Sequence, residues 1–256
     1  MAIIRFFRDS LLLDSDLAGT LSSAGMPPQS GDTLVLGAWV CTIASLPGDY
    51  NYRILAADAV SIPGPGPITV TGVSLNKSPS VDVWAIDVVG NLELICKGAD
   101  GEPGTRGAAG VAGGWVYDGH DKPHQQPGGA GEPGGPGGPG APGGAVSIHY
   151  CAATHAMFEP CGAAPGGDGG PGGPGGVGGS GNPPGRPGAS GCAGIAGQPG
   201  QVTVVKVQES KIWSLLDTCL DQESVFQWAW FMGVTPYRAG LKKKTIGLPV
   251  PIRRGA

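Results

Sequence analysis

Short runs of β-branched and aliphatic residues fill the first 97 positions of the chain, and Gly, Pro, Asn and Asp separate them. This pattern is typical of strands joined by turns. It predicts strands over 33–44, 51–60, 68–74, 81–89 and 92–96. The first fifteen residues are predicted as a strand or a short helix. We therefore expect an N-terminal β domain over 1–97, built as a meander, a sandwich or a solenoid, that serves attachment or assembly.

Residues 201–256 combine a predicted strand, a predicted helix and a basic end. The strand is predicted over 201–207, and the helix over 209–220, where apolar residues recur at helical spacing on one stripe. The apolar segment 223–232 predicts a helix or a buried strand, and an extended tail follows. The cations of this tail form either a solvated end or a docking surface. The candidate assembly-interface residues are Trp213, Trp228, Trp230, Lys242, Lys243, Lys244, Arg253 and Arg254.

Between these regions, glycine recurs at every third position in four runs of about 16 residues, at 98–113, 128–143, 166–181 and 185–200. The linkers 114–127, 144–165 and 182–184 separate them. A three-residue period matches polyproline II, which rises ~3.1 Å per residue, so each run spans ~50 Å. Glycine at every third position leaves one face without Cβ atoms, where a neighbouring backbone can approach to hydrogen-bonding distance. The pattern predicts a bundle of polyproline/polyglycine-II helices over 98–200.

Collagen also requires glycine at every third position, but three features disfavour it. Each run has only about five triplets, the linkers are rich in aromatic residues and histidine, and many triplets of the second and third runs read Gly-Gly-X. A second glycine bares a second face, so we expect these two runs at the centre and the other two at the periphery. The predicted fold class is mainly β with irregular structure, with this bundle between the β domain and a small strand-plus-helix region, 201–256. A disordered linker is the other alternative.

Composition and charge exclude several classes of function. The chain has 49 Gly and 25 Pro in 256 residues and a formal net charge of -4, which disfavours nucleic acid as a partner. No segment reaches the ~18 apolar residues of a membrane span, so we expect no membrane insertion, and the N-terminus does not read as a signal peptide. The six cysteines are scattered, which excludes a small disulfide scaffold, although Cys151 and Cys161 could close one loop.

The histidines, all four in the linkers, are the candidate chemistry. With the neighbouring aromatic residues they are interpreted either as caps on the bundle ends or as contacts with a receptor or a neighbouring subunit. If the runs alternate in direction, the first two linkers lie at opposite ends. A weaker hypothesis is a metal site formed by His149, Cys151 and His155. The candidate binding residues are Trp115, Tyr117, His120, His124, His149, Tyr150, His155 and Phe158.

Other motif searches favour a protein that is not an enzyme and needs no cofactor. Gly-x-Gly-x-x-Gly occurs only as a by-product of the triplet repeat, without the βαβ context of a dinucleotide site. No Walker A motif or nucleophile elbow is present.

The matched glycine runs, many of them Gly-Gly-X, with linkers between them and a compact domain before them, resemble the distal tail-fibre adhesin of T-even-type bacteriophages. The resemblance covers about residues 98–200. It implies a sandwich of polyglycine-II helices whose loops bind a bacterial surface receptor, a fibre carrier protein as partner, and a place in the virion. The alternative is a self-assembling subunit of an extracellular filament, appendage or virion layer, whose partners are copies of itself.

Overall fold

The computed structural model describes residues 2–64, 66–117, 123–154 and 159–219. In chain order, the elements within these ranges are β1 (Ile3–Leu13), α1 (Leu17–Ser23), β2 (Thr33–Ile43), β3 (Asn51–Ser61), β4 (Ile68–Thr71), β5 (Ser80–Val89), β6 (Glu93–Lys97), β7 (Trp115–Tyr117), β8 (Pro123–Gln125), β9 (Ala145–Thr154), β10 (Cys161–Ala163), β11 (Gln201–Lys206) and α2 (Glu209–Cys219).

Two parallel sheets form the body of the protein. The main sheet has six strands in the order β1-β2-β3-β5-β9-β11, and the minor sheet has three in the order β10-β6-β4. From β3 to β6, and again from β9 to β11, consecutive strands alternate between the two sheets. Each pass through both sheets is therefore one coil, and successive coils stack through parallel strand pairs.

The core lies between the two sheets. Along one row of the main sheet, Phe6, Leu36, Ile54, Val83 and Ile148 are in register and buried. Since alternate side chains of a strand point to opposite faces, this row places one apolar side chain from each of β1, β2, β3, β5 and β9 on the core side. Burying one such side chain stabilises the fold by about 1.5–3 kcal/mol.

The two helices cover different parts of the main sheet. At the β1 end, Leu17 and Leu21 of α1 are buried in the core between the sheets. On the opposite, outer face, Ile212, Trp213 and Leu216 of α2 are buried in a second cluster with residues of β2 and β3. Ile212 and Leu216 of the predicted helical stripe therefore lie on the buried face of α2.

The predicted fold class is wrong, because the core of the protein is a parallel sheet rather than a polyproline bundle. Several strand positions agree with the prediction within about two residues, but their pairing draws on all three compositional regions. The decisive segment is β9, which the sequence analysis placed inside the linker 144–165. Its alternating buried residues Val146, Ile148 and Tyr150 join it to the core, between β5 and β11.

The four glycine runs extend from one edge of this body and are named here the glycine array, with runs 1 to 4 numbered in chain order. Run 1 directly follows β6 and run 2 leads into β9. Run 3 follows β10 closely and run 4 leads into β11. Runs 1 and 2 therefore connect β6 to β9, and runs 3 and 4 connect β10 to β11. Each pair takes the place that the short turn 72–79 has between β4 and β5. The array thus consists of two long connections, one from each of two successive coils.

Backbone hydrogen bonds join all four runs. Runs 1 and 3 are parallel, with bonds from Gly98 N–H to Pro165 O at 3.0 Å through to Gly113 N–H to Ser180 O at 2.6 Å. Run 2 donates to run 1 in the antiparallel sense and to run 4 in the parallel sense. Runs 3 and 4 donate to runs 2 and 3, respectively, both antiparallel. These bonds satisfy polar groups that the runs do not satisfy internally.

Runs 2 and 3 each bond to three other runs, whereas runs 1 and 4 each bond to two. Their central position is the one that the Gly-Gly-X triplets predict. In run 3 the second glycine is sterically required, since a Cβ at Gly170 would lie 2.0 Å from Glu102 O. In run 2 the second position is less crowded and also holds Glu132 and Ala141.

A charged cluster joins the base of the array to the minor sheet. Lys97, the last residue of β6, places Nζ 2.9 Å from Asp100 Oδ1 in run 1 and 2.8 Å from Asp168 Oδ2 in run 3. The same Asp100 oxygen accepts a hydrogen bond from the Asp168 N–H at 2.8 Å. One lysine therefore holds the first triplets of two runs together.

Candidate binding site at the tip of the array

Because run 1 leads away from the sheets and run 2 returns to them, the linkers lie at opposite ends of the array. The described residues of the linkers 114–127 and 182–184 lie at the far end, named here the tip, while those of 144–165 lie beside the sheets. The described parts of the first two linkers are therefore separated by the length of the array, and the second of them holds the sheet strands β9 and β10. Extended runs of 16 residues place the tip on the order of 50 Å from the sheets.

The tip carries an antiparallel hairpin formed by β7 and β8. Trp115 pairs with Gln125, Val116 with His124, and Tyr117 with Pro123. The hairpin is tied to the array by Gln126 N–H, which donates to Gly114 O at 2.8 Å. Gln126 O in turn accepts from Asn182 N–H at 3.1 Å, so the hairpin and the second tip turn support each other.

The two faces of the hairpin differ in chemistry. Trp115 and Tyr117, two residues apart on one strand, share a face with their partners Gln125 and Pro123. Trp115 is 66% exposed and Tyr117 is 70% exposed. The other face carries Val116 and the exposed His124. Two large aromatic side chains therefore project into solvent, side by side, at the extremity of the described chain.

Gln125 is a residue of this site that the sequence analysis missed. Its Nε2 lies 3.5 Å from Gly113 O, at the end of run 1, and its side chain is half-buried beside Trp115. The contact orients an amide next to an exposed ring. Strand pairing brings the two together, and a single polar residue in a Pro-rich linker gives no local sign of it.

The candidates in the second linker lie elsewhere. His149 and Tyr150 belong to β9, and Tyr150 is buried, so neither is a loop residue at the tip. The Tyr150 hydroxyl donates to Glu159 Oε2, and this contact raises the pKa of Tyr150 to about 12. Its position indicates a structural role. His120, His155 and Phe158 lie outside the described residues.

His149 lies on the outer face of the main sheet. Its Nε2 is 4.0 Å from Asp82 Oδ1, and its Nδ1 is buried and has no hydrogen-bond partner within the described structure. Burial lowers the pKa of His149; the nearby Asp82 carboxylate opposes this effect and Lys211 of α2 adds to it. A neutral imidazole is the form that this position favours.

The metal hypothesis gains no support from the described residues. His149 and Cys151 share the outer face of β9, but among the residues that the structure describes no three His, Cys, Asp or Glu groups are placed to hold an ion. Cys151 and Cys161 are both free thiols. Burial raises the pKa of each.

Of the predicted assembly residues, only Trp213 lies in the described part of the chain. It is buried against the main sheet, and its Nε1 donates to Glu209 Oε1 at 2.9 Å within α2. The other predicted interface residues, Trp228, Trp230, Lys242, Lys243, Lys244, Arg253 and Arg254, lie outside the described residues. Trp213 is therefore a core residue of the monomer.

Comparisons with protein-family models, curated proteins and solved structures found no match for this chain. Within the described ranges, no helix has the length and apolar character needed to cross a membrane.

Proposed function

We propose that this protein is a non-catalytic adhesin that binds a bacterial surface receptor through the tip of the glycine array. This is the role of the phage tail-fibre adhesins that its glycine pattern resembles. The observation that carries the proposal is the position of Trp115 and Tyr117, both largely exposed on one face of the tip hairpin. Exposed aromatic residues on loops held by a rigid scaffold are typical of binding surfaces.

The array and the two-sheet body have structures that suit supporting roles in such an adhesin. Backbone hydrogen bonds along the whole length of the array give it the stiffness to hold a hairpin far from the sheets. The two-sheet body, with its own core, is then the part that attaches to a fibre carrier protein on a virion or appendage. The function assigned to the runs is to position the tip, with no catalytic group involved.

Adsorption of the labelled full-length protein to a panel of bacterial strains tests the proposal. We expect saturable binding to some strains, and loss of it when Trp115 and Tyr117 are both changed to Ala. The matched control changes Val116 and His124, on the opposite hairpin face, to Ala and leaves binding intact. The proposal fails if both double variants adsorb as the unchanged protein does.

The exposed edge of the last coil, formed by β11, favours a second candidate function, that of a self-assembling filament subunit. β11 is an edge strand of the main sheet, and Val202 on it is 45% exposed although it faces the space between the sheets, close to Gly162 of β10. Within the described residues, no strand continues the sheet beyond β11 or beyond β1. Because all six strands are parallel, β1 of a second copy would add to β11 in the direction of the sheet.

Proline substitution separates this candidate from the first. The bonds from Gln201 N–H to Gly144 O and from Val207 N–H to Tyr150 O show that the N–H of Val202 points away from β9. Val202→Pro then removes a donor needed only by an added strand. Val177→Pro, at a triplet position where run 3 otherwise carries Pro171 and Pro174, is the control. If the protein self-assembles, its sedimentation depends on concentration, and only Val202→Pro abolishes this dependence. A protein that stays monomeric at high concentration rules out self-assembly.

A further inference from the structure

The chemistry of the aromatic face of the tip hairpin narrows the kind of receptor. Its four paired side chains are those of Trp115, Tyr117, Pro123 and Gln125. None of the four carries a charge. Among the described residues, the face therefore offers two ring surfaces and one amide, and none of its four paired side chains is an ionic group.

The size of the tip disfavours a folded protein as the ligand. A specific protein–protein interface takes about 20–30 residues from each partner, with its aromatic hot spots in a desolvated centre ringed by other contacts. The two linkers of the tip, 114–127 and 182–184, together contain 17 residues, which is below that number. Trp115 and Tyr117 are also exposed at 66% and 70%, so the described residues form no desolvated centre around them.

A sugar ring meets these conditions. The face of an aromatic ring carries negative partial charge, and the C–H groups on one side of a pyranose carry positive partial charge, so the two stack. Residues two apart on a strand are ~6.8 Å apart along it, so the two side chains are spaced to meet neighbouring units of an oligosaccharide. The amide of Gln125, oriented by its contact with Gly113 O, lies beside Trp115 to bond a hydroxyl group.

We propose that the tip binds a neutral saccharide of the bacterial surface, with pyranose rings stacked on Trp115 and Tyr117 and a hydroxyl bonded to Gln125. This inference rests on the proposed adhesin function and specifies its ligand.

The test uses the full chain on two probes: intact cells of a strain that binds it, and the surface polysaccharide purified free of protein from that strain. We expect the protein to bind both. Trp115→Ala with Tyr117→Ala should weaken both affinities at least tenfold, and Gln125→Ala should weaken them less. Val116→Ala with His124→Ala should leave both unchanged. Circular dichroism confirms that each variant is folded.

Binding to a neutral polysaccharide should also vary little between 50 and 500 mM salt, because no ionic contact is screened. Binding to cells without binding to the purified polysaccharide overturns the saccharide ligand and leaves the adhesin function standing. Polysaccharide binding that falls steeply with salt, or that survives loss of both aromatic side chains, also overturns the inference. Failure to bind any strain overturns the adhesin function itself.

Discussion

The indole of Trp84 stacks on the imidazole of His149, with ring centroids 3.8 Å apart and planes inclined by 12°. The two residues are neighbours in register on β5 and β9. Trp84 Nε1 donates to Asp82 Oδ1 at 2.7 Å, the oxygen that also lies nearest His149. The stack joins a strand of the first compositional region to a strand of the second linker, and these two strands are neighbours in the main sheet.

This environment predicts a pH dependence of stability. The pKa of His149 is lowered in the folded state, mainly by burial. The unfolded state then binds the proton more readily, so stability is full above the unfolded pKa of about 6.5 and declines as pH falls below it. We expect the melting temperature to fall between pH 7.5 and pH 5, and His149→Phe, which keeps a stacked ring, to flatten this dependence. His124→Phe, on the exposed hairpin, is the control and should keep the original slope.

A second pH dependence is expected near pH 4 from Asp32. Its carboxylate accepts hydrogen bonds from Ala2 N–H at 2.6 Å and Gln29 N–H at 2.9 Å, and these lower its pKa. A lowered pKa contributes stability that is present above the unfolded pKa and is lost as pH falls through the folded one. Asp32→Asn should therefore lower the melting temperature at pH 7, and the difference should shrink below about pH 4. A difference that stays constant down to pH 2 would contradict this origin.

We expect two glycines of the array that lie against the same residue to differ in their tolerance of alanine. A Cβ at Gly170 would lie 2.0 Å from Glu102 O, whereas a Cβ at Gly138 would lie 3.1 Å from Glu102 N. Gly170→Ala should destabilise the protein by about 1–3 kcal/mol, the usual cost of overpacking, and Gly138→Ala by less than ~1 kcal/mol. Urea unfolding measures both. Equal effects of the two substitutions would mean that run 3 is not held as tightly as its hydrogen bonds indicate.

The cysteines predict a pattern of chemical reactivity. Burial raises the pKa of Cys41 and of Cys96 to about 12, so neither presents a thiolate at neutral pH. Cys161 and Cys192 are exposed free thiols. A maleimide pulse at pH 7.5, followed by peptide mapping, should label Cys161 and Cys192 and spare the two buried thiols until urea is added. Rapid native labelling of Cys41 would show that the core opens.

The sequence predicts a strand or a helix well where the apolar residues of a segment follow one regular spacing. Positions 51–60 and 81–89 match β3 and β5 within one residue, and the stripe of Ile212 and Leu216 is the buried face of α2. The pairing of these strands could not be predicted, because a parallel ladder joins residues far apart in sequence. β9 was missed for a second reason: His149 and Cys151 lie on its outer face and resemble a site, while their neighbours Ile148 and Tyr150 enter the core.

At the tip, the aromatic candidates Trp115 and Tyr117 could be selected from their linker position, but their common face required the hairpin register. The relative direction of the runs decides that linker 114–127 is distal and 144–165 is not. It could not be predicted, because glycine triplets make these backbone bonds in both the parallel and the antiparallel sense. Triplets carry no directional code. Only the attachment of each run to a particular strand fixes it.

Because each run starts or ends at the same corner of the coils, the reach of the hairpin depends on the number of triplets alone. One triplet added to all four runs advances it by about 9 Å and leaves every strand pair as it is. A triplet added to one run alone would have no partner in its neighbours, and one extra residue would bring bulky side chains to the positions where only glycine fits. The distance from the sheets to the hairpin can therefore change only by whole triplets, added to or removed from all four runs together.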